Sequence, residues 1–170
     1  PEIGILNGYK YTFPKVDLPT PTDAILRTLI GPPLRIVFEK MYGLSSEQAE
    51  FAIKTYRVYY NELGGAYENE LYNGMIELLH ALHRQGKKLH IATHKGAMTE
   101  QILQHFQIRN YFSQIQHYNE EKNITTKEKM IELIMQAEDA TNKDNIVMIG
   151  DRNTDIEAAH YHQIKSIGVS

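Results

Sequence analysis

The stretch Ile146–Asp155, which reads IVMIGDRNTD, decides the fold. Its first residues, Ile146–Ile149, form a short apolar run that ends at Gly150, a pattern typical of a buried strand in a parallel sheet. Asp151 follows at once, and Asp155 lies about one helical turn further along the chain. Ligands of open α/β sheets bind beyond the carboxyl ends of the strands. The stretch therefore predicts a strand, a turn and a helix whose two carboxylates stand at the functional edge of a sheet.

Strands and helices alternate around this stretch throughout the second part of the chain. The predicted helices are Asn73–Gln85, Ala97–Phe106, Thr126–Ala137 and Asp155–His162, and the predicted strands are Leu89–Thr93, Ser113–His117, Ile146–Ile149 and Ile164–Val169. Such alternation predicts βαβ units, in which a parallel sheet carries helices on both faces. The fold class is therefore α/β.

The first part of the chain, up to about residue 72, is predicted to be entirely helical. Ser45 and Gln48 form the pattern of a capping box at the start of one helix. Tyr56, Tyr59 and Tyr60 recur at helical spacing on that helix, so we expect them to pack against neighbouring helices. The predicted helices are Pro1–Phe13, Asp23–Ile30, Leu34–Tyr42 and a segment from Ser45 to about Leu63, separated by Lys15–Pro21, Gly31–Pro33 and Gly43 and ended by Gly64–Gly65.

Composition narrows the classes of function. The 170 residues carry a net charge of -3, which gives no basic surface for nucleic acid. The sequence contains no cysteine, which excludes disulfides and thiolate metal sites and fits a reducing cytoplasm. No signal-peptide pattern and no apolar run of membrane-spanning length is visible, so we expect no membrane partner.

The paired carboxylates of Asp151 and Asp155 suit a hard cation. Mg²⁺ prefers oxygen ligands and often shares them with a bound phosphate. The alternative is that both aspartates only cap the predicted helix, where negative charge is favoured.

Two further residues are candidates for binding a phosphate. Thr93 ends the predicted strand Leu89–Thr93, where its hydroxyl and the following N–H groups can bind a phosphate oxygen. Lys127 lies in the first turn of a predicted helix, where a cation opposes the macrodipole unless it faces an anion. The alternatives are an ordinary threonine and an exposed lysine, and Lys129 is the next candidate for the same role.

The order of these signals resembles a known family. Thr93, then Lys127, then Asp151 with Asp155 resemble motifs II, III and IV of the haloacid dehalogenase (HAD) superfamily. Three further segments resemble its phosphoglycolate phosphatase-like and 5′-nucleotidase-like branch: Ile30–Leu34 in the cap, Tyr67–Gly74 at the return to the core, and Ile91–Lys95 around motif II.

The resemblance implies a Rossmann-like parallel-sheet core with a small inserted α-helical cap. Gly31, Pro32 and Pro33 would form the cap loop that meets the substrate. The expected partner is a small phosphorylated metabolite, and the oligomeric state stays open. The implied domains are residues 1–14 and 73–170 for the core and residues 15–72 for the cap.

The resemblance also implies a chemistry. The expected activity is that of a Mg²⁺-dependent phosphatase acting on a small monoester such as phosphoglycolate or a 5′-nucleotide, through an aspartyl-phosphate. Asp151 would bind Mg²⁺ and share in catalysis, and Asp155 would complete the metal site. Thr93, His94 and Lys127 would bind the phosphate, with Thr93 and Lys127 also catalytic. Two alternatives stay open: a non-catalytic HAD-fold protein that binds phosphate or metal, and a phosphomutase of the same superfamily.

One family motif is missing from the sequence. The family begins with a strand that ends in Asp-x-Asp-x-Thr, whose first aspartate attacks phosphorus, and no Asp-x-Asp occurs here. We expect this motif to lie in a segment that precedes Pro1, and the 170 residues alone to be inactive. In the family that strand lies between the equivalents of Leu89–Thr93 and Ile146–Gly150. These two strands are therefore predicted to be parallel but not paired with each other.

Overall fold

The change from a helical to an alternating pattern near Tyr72 is the point at which the computed structural model divides the chain. It describes residues 2–169 and separates a helical unit, Pro1–Tyr72, from an α/β unit, Asn73–Ser170. Pro1 and Ser170, which end several predicted ranges, lie outside the described residues.

The helical unit is built from short helices interrupted where the sequence predicts breaks. Ser45 accepts a hydrogen bond from Gln48 N, and Gln48 returns one to Ser45 N, so the predicted capping box is confirmed. Its α-helices are α1 (Glu2–Thr12), α2 (Asp23–Thr28) and α3 (Ser46–Arg57), with 3-10 turns at Phe13–Val16 and Gly65–Tyr67 and π-helical turns at Ile36–Met41 and Val58–Glu62.

One aromatic cluster forms the core of this unit. The rings of Tyr9, Phe13 and Phe38 are fully buried, with centroids about 6 Å apart, and Tyr56 lies 5.2 Å from Tyr9. Burial raises the pKa values of the Tyr9 and Tyr56 phenols above their ordinary value. The predicted packing role of Tyr56 is therefore confirmed. Because α1 contributes Tyr9 to this cluster, the structure groups it with the helical unit, whereas the predicted boundary placed residues 1–14 with the core.

The α/β unit alternates helix and strand as predicted. Its elements are α4 (Met75–Arg84), β1 (Leu89–Thr93), α5 (Met98–His105), β2 (Phe112–His117), α6 (Lys127–Ala137), β3 (Val147–Gly150), α7 (Asn153–Tyr161) and β4 (Lys165–Gly168), with 3-10 turns at Arg109–Tyr111 and Lys143–Asn145.

The strands pair in two parallel ribbons rather than in one continuous sheet. β1 pairs with β2, which places Thr93 opposite His117. β3 pairs with β4, which places Gly150 opposite Gly168. Among the described residues β1 and β3 share no ladder, which confirms the prediction that these two strands do not pair directly.

The prediction that Ile146–Ile149 is a buried strand is wrong for one of its two faces. Val147 and Ile149 are 47% and 54% exposed, whereas Ile146 and Met148 pack against a small cluster around Ile131. α7 packs against β3, and alternate residues of a strand point to opposite faces. Within the described residues, therefore, only one face of this strand is covered. None of the helices in residues 2–169 has the length and apolar character needed to cross a membrane.

Candidate active site

Two strand ends and two helix starts carry the predicted site residues. Thr93 is the last residue of β1, and Asp151 directly follows β3. Lys127 is the first residue of α6, and Asp155 lies in the first turn of α7. All four residues belong to the α/β unit.

Lys127 connects the end of β1 to the start of α7. Its Nζ lies 2.6 Å from Asp155 Oδ1, with side chains only 12% and 4% exposed. The same Nζ donates a hydrogen bond of 2.7 Å to the backbone oxygen of Ala92, the residue before Thr93. Lys127 therefore faces an anion, as the functional interpretation of the sequence predicts, and is not the exposed lysine of the alternative. Lys129 instead pairs with Glu132 on the surface of α6, at 3.0 Å.

Local structure explains why a lysine can begin this helix. Thr126 caps α6, because its Oγ1 accepts a hydrogen bond of 3.2 Å from Lys129 N. A cation at a helix N-terminus opposes the macrodipole by a few tenths of a kcal/mol up to about 1 kcal/mol. The carboxylate of Asp155 offsets that cost, since it presents a negative charge within hydrogen-bond distance of Lys127.

Asp155 is the centre of this arrangement. Its Oδ2 accepts a hydrogen bond of 3.2 Å from Arg152 N, so it caps α7 as well as pairing with Lys127. Its carboxylate lies so close to Gly150 that a Cβ at this position would overlap it. The glycine at the end of β3 is therefore required for space, because a side chain there would displace the carboxylate.

Asp151 has the opposite environment from Asp155. Its side chain is 70% exposed, and its Oδ2 lies 3.9 Å from Arg152 Nε in a loose ion pair at the surface. The carboxylate oxygens of Asp151 are thus open to a ligand. Asp155 Oδ2 accepts the hydrogen bond from Arg152 N, whereas its buried Oδ1 has the Lys127 ammonium as an ion-pair partner but accepts no hydrogen bond among the described residues. Within residues 2–169 no group of three or more His, Cys, Asp or Glu side chains could enclose a metal.

This donor set fits Mg²⁺. The ion keeps several waters and binds proteins through one or two carboxylates together with substrate phosphate oxygens. Asp151 can be a direct ligand, and Asp155 can act through a water or by holding its neighbours in place. A closed, all-protein cage would instead suit Ca²⁺ or zinc.

Thr93 ends β1, and a turn that begins at His94 follows it. Its Oγ1 accepts a hydrogen bond of 3.2 Å from Lys95 N, and its backbone oxygen accepts one of 2.9 Å from Tyr118 N. The Thr93 hydroxyl hydrogen stays available to donate to an anion. His94 lies in this turn, and its ring centroid lies 6.5 Å from that of Tyr118.

Two residues near these groups were missed in the sequence. His117 ends β2 opposite Thr93, and Tyr118 follows it, so both lie at the same strand ends as Thr93. The available signal was their position after a predicted strand, since parallel strands share one carboxyl edge. Gly31, Pro32 and Pro33, predicted to form the cap loop, lie in an exposed bend of the helical unit.

A shallow cavity of about 410 Å³ lies along the last turns of α6, away from Lys127. It is lined by Glu132, Met135, Gln136, Asp139, Ala140, Thr141 and His162. Because none of the predicted site residues lines it, the strand-end cluster is the better candidate for chemistry.

Comparison with known proteins places this geometry in a family. A family model described as haloacid dehalogenase-like hydrolase matches residues 2–169. A 5′-nucleotidase of Pseudomonas aeruginosa is 32% identical over 99% of this chain and 76% of the relative. The tyrosine-protein kinase PtkA of Mycobacterium tuberculosis is 30% identical over 98% of this chain, which spans only 56% of that relative.

A solved structure agrees with these sequence relatives. A crystal structure from Clostridium difficile, described as that of a candidate phosphatase, superposes with a TM-score of 0.92. It is 32% identical, and the match covers 99% of this chain and 78% of that chain. The resemblance identified from Thr93, Lys127, Asp151 and Asp155 is therefore confirmed at the level of the family, whereas the roles of the individual residues stay predictions.

Proposed function

Because this chain belongs to the haloacid dehalogenase-like hydrolase family, we propose that its function is that of a Mg²⁺-dependent phosphatase of small phosphate monoesters. The observation that carries this proposal is the position of Lys127, whose Nζ contacts both Ala92 O and Asp155 Oδ1. A largely buried cation held between the end of β1 and the start of α7 provides what a phosphate dianion needs beside two carboxylates.

The reaction proceeds in two steps. An aspartate carboxylate outside these 170 residues attacks phosphorus while the P–O bond to the leaving group breaks, and the leaving oxygen takes a proton from the second aspartate of the same Asp-x-Asp motif, which acts as general acid. Water then attacks the phosphorus of the aspartyl-phosphate and gives a proton back to that second aspartate, and inorganic phosphate and the free nucleophilic aspartate result. Mg²⁺, when bound, supplies charge neutralisation for the phosphoryl oxygens. The 170 residues alone are inactive in this scheme, because they lack the attacking group.

The residues of this chain hold the phosphate and the metal site. Lys127 offsets the negative charge that accumulates on the phosphoryl oxygens. Thr93 and His94 donate hydrogen bonds from the turn after β1. Asp151 presents an open carboxylate to Mg²⁺, and Asp155 keeps Lys127 in place through their 2.6 Å contact.

Two substrates fit this proposal equally well at the phosphate end. Phosphoglycolate and a 5′-nucleotide both carry a terminal phosphate monoester, and the relative from Pseudomonas aeruginosa is named for the second. Gly31, Pro32 and Pro33 would contribute to selection as a cap loop. The whole protein is expected to work in the cytoplasm.

The test uses the full-length protein. Phosphate release from phosphoglycolate, a set of 5′-nucleotides and an aryl phosphate is measured with Mg²⁺ and with chelator. Lys127→Ala is expected to lower kcat/KM by about 100-fold or more, because it removes the cation from the phosphate. Asp151→Asn should cause a comparable loss with a higher Mg²⁺ requirement.

Lys129→Ala is the matched control, since this lysine lies two residues away on the same helix and pairs at the surface with Glu132. It should stay within about twofold of the unaltered protein, as expected of an exposed pair. Equal losses for the two lysine variants, or turnover that resists chelator, would contradict the proposal. No phosphate release from any substrate would favour the non-catalytic alternative.

A further inference from the structure

The strand ends beside Thr93 carry rings as well as phosphate-binding groups. Tyr118 is 39% exposed although its backbone is fixed, and the imidazole of His94 lies beside it with the planes inclined by 55°. His117 precedes Tyr118 on the same strand end. We call His94, His117 and Tyr118 the ring group. Of these three, only His94 has a part in the phosphate chemistry described above.

The ring group is held rigidly by its backbone. Tyr118 N donates to Thr93 O at 2.9 Å, which ties the ring group to β1. Directly afterwards, Asn119 and Ile124 form an antiparallel bridge whose turn is closed by Asn119 Oδ1 and Lys122 N at 3.0 Å. Because hydrogen bonds fix the backbone at Tyr118 and directly after it, the Tyr118 ring loses little conformational entropy when a ligand stacks on it.

The hydrogen bond of His117 determines which of its ring nitrogens can accept a hydrogen bond from a ligand. Its Nδ1 lies 2.9 Å from Tyr118 O. A carbonyl oxygen only accepts hydrogen bonds, so Nδ1 must donate, and the Nε2 of the neutral imidazole is left as an acceptor. The ring group thus combines two π faces with one acceptor that can receive an N–H or O–H group.

Two acidic side chains near Tyr118 disfavour a second anionic group on the substrate. Glu120 and Glu121 come after Tyr118 and Asn119 in the chain, and Tyr118 Oη is 3.5 Å from Glu120 Oε2. A carboxylate or second phosphate in the leaving group would approach these side chains at a cost, whereas an uncharged planar ring would not.

We infer that the ring group selects substrates whose leaving group carries a planar aromatic ring, that is, a nucleoside or an aryl phosphate rather than phosphoglycolate. This inference rests on the proposed phosphatase function. Stacking on Tyr118 contributes binding energy that an aliphatic leaving group cannot obtain.

The experiment compares kcat/KM of the full-length protein for a pyrimidine 5′-nucleotide, a purine 5′-nucleotide, 4-nitrophenyl phosphate and phosphoglycolate. For each aromatic substrate, Tyr118→Leu should lower kcat/KM relative to the kcat/KM for phosphoglycolate by about tenfold, mainly by raising KM. Tyr118→Phe should restore most of the ratio because it keeps the ring. A loss confined to nucleotides would assign the site to nucleosides, and an equal loss with 4-nitrophenyl phosphate would assign it to aryl rings in general.

Tyr161→Leu is the matched control, because Tyr161 is an exposed tyrosine that also contacts a histidine, His162, at 5.0 Å but lies at the end of α7. It should leave the ratio unchanged. The inference is overturned if Tyr118→Leu lowers all substrates equally, or if the unaltered protein prefers phosphoglycolate. Absence of turnover on every substrate would overturn the proposed function itself, and the inference with it.

Discussion

The two units of this chain are stabilised in different ways. The helical unit buries its large side chains in one cluster, in which Phe13 and Phe38 have no exposed surface. The cluster around Ile131 and Ala158 in the α/β unit is smaller, and Val147 and Ile149 remain half exposed. The α/β unit instead concentrates close polar contacts at its strand ends. Removal of apolar volume should therefore affect mainly the helical unit, and changes of charge or space should affect mainly the α/β unit.

The largest expected effect is the removal of a core ring. Phe38→Ala should lower the free energy of unfolding of the helical unit by about 4 kcal/mol, because it deletes a fully buried aromatic side chain and leaves a cavity. Ile149→Ala in β3 should cost less than about 1 kcal/mol, since that side chain is already half exposed. Urea denaturation followed by circular dichroism measures both.

Phe51→Ala is the control for the first of these changes, because Phe51 is also a phenylalanine of the helical unit but is 55% exposed. Phe51→Ala should lower the free energy of unfolding by as little as Ile149→Ala does. If Ile149→Ala were as damaging as Phe38→Ala, the contrast between a filled and a partly filled core would be wrong.

The next effect is the loss of the buried ion pair. Lys127→Met should destabilise the α/β unit by about 3 kcal/mol, because it leaves the Asp155 carboxylate buried without its cation. Lys129→Met removes a surface pair with Glu132 and should cost no more than about 0.5 kcal/mol. The hydrogen-exchange protection of backbone amides in α7 measures the local loss of stability. Similar protection in the two variants would show that Asp155 does not depend on Lys127.

A smaller effect should follow from adding one methyl group at the end of β3. Gly150→Ala should cost about 2 kcal/mol, since the new Cβ overlaps the Asp155 carboxylate. Gly168→Ala is the matched control, because Gly168 is the register partner of Gly150 on β4 and has no atom within 4 Å of a built Cβ. Thermal unfolding distinguishes the two. A destabilising Gly168→Ala of equal size would point to β-strand backbone effects rather than to space at Asp155.

The smallest effect concerns pH. Burial is the main cause that lowers the pKa of His90, and Lys88 lowers it further, while Glu138 Oε1 at 4.0 Å from Nδ1 opposes the shift. The folded pKa is thus below the unfolded value of about 6.5. Stability from neutral His90 is therefore fully present above about pH 6.5 and is lost as the pH falls through the folded pKa.

His90→Gln should make the decline of the urea midpoint between pH 7.5 and 5 shallower. The same change at His160, an exposed position of α7, is the control. A steeper decline in the His90 variant would mean that the pairing with Glu138 outweighs burial.

The sequence predicts the order of elements better than their surroundings. β1 was predicted to its exact bounds, and most other elements differ by one to three residues at an end. The exposure of Val147 and Ile149 could not be predicted, because an apolar run does not reveal what covers each face of a strand. Likewise, nothing in the local pattern of Ile36–Met41 indicates a π-helical turn rather than an α-helix.

The candidate site shows a similar limit. Spacing singled out Lys127 and Asp155, and the structure brings them together, although their catalytic roles stay predictions. The partner of Lys127 on β1 is a backbone oxygen, that of Ala92, which any residue would supply and no residue type can signal. Tyr118 was missed because its neighbourhood depends on the register of β2 against β1.

The crowding of Gly150 against Asp155 has a consequence for how this sequence can diverge. A lineage that first replaces Gly150 must pass through an overlap with the carboxylate, whereas a lineage that first shortens Asp155 frees the space and leaves Lys127 without its anion. Substitutions at these three positions therefore depend on their order. Energies of neighbouring substitutions in direct contact do not add, so a change that is harmful in one background becomes tolerable in another. Epistasis among residues 127, 150 and 155 is thus built into the packing of one carboxylate.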